Sequence, residues 1–104
     1  MELTKDADKM ICCIYKSFLQ RHKHGETKSA ARRFEKDYLK ENKHLSSIAE
    51  EDLKFTLLEL GKKELVRITI GGAFELTDAG IIYMESRFKN DLIEVTDFIS
   101  KFIP

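Results

Sequence analysis

Three histidines, two adjacent cysteines and a run of three carboxylates are the groups in this 104-residue chain with reactive chemistry to offer. His22-x-His24, with His44 further on, could in principle ligate a metal. Residues two apart on a helix do not share a face, and no cysteine stands near them, so surface histidines and no metal site are expected. Cys12 and Cys13 are neighbours, which cannot pair without severe strain. They form no disulfide framework and no metal-type spacing, and are expected to pack as small apolar side chains. Glu50, Glu51 and Asp52 could act as paired carboxylates, but the start of a helix explains them without catalysis.

No nucleophile elbow, P-loop, dinucleotide fingerprint or H-E-x-x-H pattern occurs, so neither enzyme activity nor a cofactor is expected. Charge is the more informative chemistry. The 18 basic and 18 acidic residues cancel, yet residues 16–44 carry nine Lys/Arg against four Asp/Glu, a net of +5. Residues 45–104 carry seven against eleven, a net of −4, and residues 1–15 carry two against three, a net of −1. That asymmetry permits one basic face without a basic protein, a weak pointer to nucleic acid. With 42% apolar and 35% charged residues, the chain has the composition of one soluble globular domain. No apolar run approaches the ~20 residues that cross a bilayer, and the first residues lack a signal-peptide core. A cytoplasmic location without membrane contact is expected.

Positioning these groups requires a series of helices and one ribbon. Over residues 6–24, Met10, Ile11, Ile14, Tyr15, Phe18 and Leu19 fall at helical spacing, with Asp6 and Asp8 at the start and Arg21 and Lys23 before a stop at Gly25. A second helix is predicted from Thr27 or Ser29 to about Asn42, with Ala30, Phe34 and Tyr38 as its apolar stripe. Lys28, Arg32, Arg33, Lys36 and Lys40 line its other faces, as a solvated face or as a phosphate-contacting one. Ser47 and Glu50 have capping-box spacing, so a third helix is predicted to begin at Ile48, bury Ala49, Leu53, Leu57 and Leu60, and end between Gly61 and Lys63. Residues 65–70 alternate as a strand, Gly71-Gly72 suit a two-residue hairpin turn, and residues 73–76 return. Thr77 is placed to cap a last helix over 78–103, because Ile81, Met84, Phe88, Leu92, Val95, Ile99 and Phe102 keep spacings of three or four. Unbroken, it would measure about 38 Å. A globule of this chain length is about 35 Å across.

Two motifs give this order of elements a likeness. Leu57-x-x-Leu60 followed by Leu65-Val66 resembles the L-x-x-L-x-x-x-G-L-V join between recognition helix and wing in MarR- and PadR-type regulators. Leu76-Thr77-x-x-Gly80 resembles the L-T-x-x-G with which such domains leave the wing. The chain is also similar to the small YjcQ-like winged-helix proteins of Gram-positive bacteria and their phages. Glu64 stands where the pattern has glycine, and Gly61 is the alternative helix stop.

The resemblance implies a mainly α (α+β) fold, a winged helix-turn-helix with a two-stranded wing and a long C-terminal helix. It implies binding of double-stranded DNA, with the third helix in the major groove and the wing on the backbone. Lys54 and Arg67 would then join the five basic residues of the second helix. It also implies a homodimer through the terminal helix, with Phe88, Leu92, Val95, Ile99 and Phe102 as candidate contacts; the alternative is that this helix folds back over its own core. The three acids opening the third helix repel phosphate, and the wing tip Gly71-Gly72-Ala73 carries no basic residue. The first reading is a small DNA-binding, transcriptional-regulator-like protein, and the alternative is a winged-helix module that binds protein and leaves DNA untouched. The two readings part on whether the basic residues of the second helix share a face with Lys54 and Arg67.

Overall fold

The middle of the first helix is apolar on every side, and that sets the architecture. The computed structural model describes residues 1–89 and 91–102. In it α1 spans Lys5–Lys23 and buries Met10, Ile11, Cys12, Cys13, Ile14 and Tyr15 without interruption. A helix buried all round needs cover on all sides, so α1 is the axis and the later elements wrap it. The Thr4 hydroxyl caps it by accepting from the Ala7 amide at 3.2 Å.

The predicted second helix is corrected by the structure. Residues 28–41 form a one-turn helix α2 (Lys28–Ala31), a strand β1 (Arg33–Phe34) and another turn α3 (Tyr38–Glu41). Phe34 stacks on Phe74 with centroids 5.2 Å apart and meets Tyr38 edge-on at 4.7 Å. The Leu76 amide donates to the Arg32 carbonyl at 2.9 Å. Strand pairing and aromatic packing outweigh a three-residue helical stripe. The next helix, α4 (Glu50–Lys62), starts two residues later than the capping box predicts, with Ala49 at its N-cap and no side-chain cap. Glu50 reaches Lys40 at 3.0 Å and leaves Ser47 uncapped by it.

Strands β2 (Val66–Ile68) and β3 (Phe74–Leu76) form the expected ribbon, and β1 pairs on the other edge of β3. The result is an antiparallel sheet in the order β1-β3-β2, with Glu75 between Arg33 and Arg67. The ribbon closes through the Thr69 amide on the Ala73 carbonyl at 2.8 Å, around Ile70, Gly71 and Gly72. The connection thus holds three residues, one more than predicted, with φ of 93° at both glycines.

Where α4 meets the ribbon, both family-like motifs acquire a physical meaning. The Leu65 amide donates to the Leu60 carbonyl and the Glu64 amide to Gly61, both at 3.0 Å, which is a Schellman helix end. Glu64, at φ 63°, occupies its left-handed position, so the helix stop stays at the glycine slot of the pattern and Gly61 lies inside the helix. Thr77 locks the base of the ribbon. Its amide donates to the Leu65 carbonyl at 3.1 Å, and its hydroxyl accepts from the Gly80 amide at 2.9 Å. Gly80 lies so close that a Cβ there would sit 2.2 Å from the Leu65 carbonyl oxygen.

Thr77 begins α5 (Asp78–Phe88), and the predicted long helix is corrected next. Lys89 turns left-handed at φ 48°, and the Asp91 carboxylate accepts from the Glu94 amide at 3.1 Å to start α6 (Leu92–Ser100). Residues Asn90 and Ile103 of the predicted helix lie outside the described residues. The break folds α6 back along α1, and the chain extends 33 Å at most. Phe88, Val95 and Ile99 are buried in the chain's own core, while Leu92 and Phe102 are half-buried. All five candidate contacts pack within the chain: Leu92 lies against the same core as the buried three, and Phe102 meets Phe98 edge-on at 5.4 Å. Among the described residues no helix is long and apolar enough to cross a membrane.

Two substitutions test this joint by urea denaturation. Gly80→Ala forces a methyl group into the Leu65 carbonyl and should cost about 3 kcal/mol, at the upper end of overpacking effects. Glu64→Gly relieves a left-handed side-chain residue and should gain about 1 kcal/mol. A Gly80→Ala protein as stable as the parent would refute the close approach.

Candidate interaction surface

The seven basic residues singled out above do not form one surface. Arg32 is a strap: its Nε donates to the Leu76 carbonyl at 2.8 Å and its Nη2 to Asp78 at 2.6 Å. With Lys28 it lines a groove of about 740 Å³ that also holds Phe18, Ile81 and Leu92. Arg33 and Arg67 flank Glu75 on the exposed side of the sheet, Arg33 at 3.9 Å and Arg67 in direct contact. One carboxylate between two guanidinium groups removes half of their charge. Lys36, Lys40 and Lys54 do come together, in a groove of about 330 Å³ between α3, α4 and the glycines of the hairpin tip. Asp37 and Glu50 share that groove, and Lys40 is paired with Glu50. That ion pair holds the Glu50 carboxyl below its ordinary range. Lys36 and Lys54 form no ion pair among the described residues.

The other reactive groups are accounted for within the fold. Burial pushes the Cys12 thiol up to about 12 and the Cys13 thiol up to about 11, so neither is a nucleophile near neutrality. His22 and His24 each set Nδ1 against a backbone carbonyl, Glu26 at 2.9 Å and Gln20 at 2.7 Å. Partial burial, with Lys16, Lys43 and Lys9 nearby, lowers the pKa of His44. No three of the described His, Cys, Asp and Glu side chains are placed to share a metal ion.

What the basic pattern did not reveal is the outward ridge of α4. Its inner face buries Leu53, Thr56, Leu57 and Leu60. Its outer face presents Phe55, 72% exposed, and Leu58, 53% exposed. Exposed Glu51 precedes them and exposed Lys62 follows. The spacing 51, 55, 58, 62 puts all four on one stripe, a signal present in the sequence but masked by the buried stripe beside it. On one side the ridge borders an apolar groove of about 490 Å³, whose walls include Leu58, Gly61, Val66 and Ile68. On the other, Glu59 accepts from the Thr4 amide at 3.0 Å and from its hydroxyl at 2.7 Å, which holds the N-terminal end of α1 against α4.

Comparison with family models, with curated proteins and with solved structures finds no match.

The contrast between strap and surface cations is measurable in stability. Arg32→Ala should lose about 2 kcal/mol in urea denaturation, since two bonds from a charged group go at once. Lys54→Ala should stay within about 0.5 kcal/mol of the parent. Equal losses from the two would contradict the assignment of Arg32 to the fold.

Proposed function

We propose that this protein is a winged-helix module whose working surface is the outer ridge of α4, and that the ridge contacts protein. The element order α3, α4, β2, β3 and the sheet order β1-β3-β2 support the winged-helix assignment, with α4 in the place of the recognition helix. The observation that carries the function is the exposure of Phe55 and Leu58 in the middle of that helix. Phe55 and Leu58 stand one turn apart beside an apolar groove, and a contiguous exposed apolar patch of this kind is a usual anchor of protein interfaces. The first turn reinforces this. Glu50, Glu51 and Asp52 favour the helix dipole but raise the cost of bringing the ridge against a phosphate-lined groove.

A second reading has its own observation. Lys36, Lys40 and Lys54 gather beside the wing tip, and a duplex backbone laid along that groove would meet three ammonium groups. This reading makes the protein a small DNA-binding regulator whose contacts are backbone contacts, with steep salt dependence.

The readings separate in two measurements. A photo-crosslinking residue at position 55 should yield a protein adduct in cells making the protein, while the same residue at the exposed position 100 should not. No adduct at 55 would overturn the protein-contact reading. In a mobility-shift titration with random duplex at low salt, the first reading expects no retardation. Retardation that is lost on combining Lys36→Glu with Lys54→Glu would establish the second.

A further inference from the structure

We propose that the α4 ridge pairs with a second copy of this chain, the two α4 helices lying antiparallel about a twofold axis between Thr56 and Leu57. The proposal rests on the reading of α4 as a protein-contact surface and names its partner.

The ridge is self-complementary in that arrangement. Glu51, Phe55, Leu58 and Lys62 follow spacings of four, three and four, which confines them to about 60° of arc at 3.6 residues per turn. The pairs Glu51 with Lys62 and Phe55 with Leu58 share one midpoint. A twofold axis through that point, perpendicular to the helix, sets Glu51 of each copy opposite Lys62 of the other. Phe55 and Leu58 of both copies then meet in the centre. Such an interface is isologous and closes at two copies.

Charge selects this orientation over its alternative. A parallel pairing would set Glu51 on Glu51 and Lys62 on Lys62, with the two helix dipoles aligned. The antiparallel pairing opposes the dipoles and brings each acidic first turn, where Asp52 adds to Glu51, to the end carrying Lys62 and Lys63. Both reciprocal charges are available. Neither Glu51 nor Lys62 forms an ion pair within the chain among the described residues. The groove beside Leu58 extends the apolar area on one flank. One helix face per copy is still less than the roughly 800 Å² per partner of a standard interface, so the dimer is weak and dissociates on dilution. Its exposed ion pairs fix direction more than strength.

Reciprocity supplies the test. Glu51→Lys and Lys62→Glu each create like-charge contacts in a homodimer, but opposite contacts when one variant meets the other. In sedimentation velocity the parent should move from 12.1 kDa toward twice that mass as concentration rises. Each single variant should remain monomeric at concentrations where the parent associates, and an equimolar mixture of the two should recover the dimer. Phe55→Ser, at an exposed site, should remain monomeric with an unchanged circular dichroism spectrum. A parent that stays monomeric at millimolar concentration overturns the pairing, as does a parent dimer that the two charge variants in mixture fail to reproduce. The crosslink at position 55 separates this failure from that of the wider reading. An adduct with a different protein, beside a monomeric parent, sinks the second copy and leaves the contact surface standing.

Discussion

The Leu65 carbonyl is the point on which the sheet, α4 and α5 are jointly fixed. It accepts from the Thr77 amide at 3.1 Å and shares the Thr77 hydroxyl, at 3.0 Å, with the nearer Glu64 carbonyl at 2.6 Å, and Gly80 lies directly over it. One residue earlier, Glu64 takes the left-handed turn that ends α4. This knot fixes the angle at which the ribbon leaves the helix, and so decides which side of α4 is walled by the sheet and which side is left to solvent. It also sets the start of α5, whose far end breaks at Lys89 and sends α6 back over α1. The fully apolar stretch from Met10 to Tyr15 is covered because of that reversal.

Among the described residues, five of the 18 basic side chains pair with a carboxylate of the same chain. Arg32 holds β3 and the start of α5, Arg33 and Arg67 share Glu75, and Lys40 holds Glu50. Exposed pairs of this kind add little to stability, but they neutralise four of the seven cations that were candidates for phosphate contact. The outer ridge of α4 leaves Phe55 and Leu58 exposed between an acidic end and a basic end, with Lys54 unpaired beside them among the described residues. On the proposed reading that surface meets protein, and in one orientation a second copy of itself.

Much of this was legible in the residues. The Leu-Thr-x-x-Gly exit from the hairpin marks contacts that demand those residue types: the capping hydroxyl of Thr77, and Gly80 with no room for Cβ. The glycine pair at the wing tip announced the hairpin. The failures have equally local causes. Phe34 sits at helical spacing from Ala30 and Tyr38, yet its stacking on Phe74, forty residues on, makes it a strand residue. The stripe from Met84 to Phe102 stays in register across a turn, so periodicity alone cannot see the stop at Lys89. Asp91 with Glu94 three residues later was the available sign. Phe55 and Leu58 stand next to the buried stripe in the sequence, and their exposure depends on the sheet that walls only one side of α4. The six apolar residues from Met10 to Tyr15 were the overlooked signal that a second layer must return over the first helix.

Amide chemical shifts followed over a dilution series test the central claim most directly, that the ridge of α4 is a contact surface for a second copy. Between dilute and millimolar protein, the shifts should move at Glu51, Phe55, Leu58 and Lys62 and along the neighbouring edge of β2. The amides of α5 and α6 should remain in place. Fixed α4 amides across the whole range, or changes gathered on α5 and α6, would contradict it.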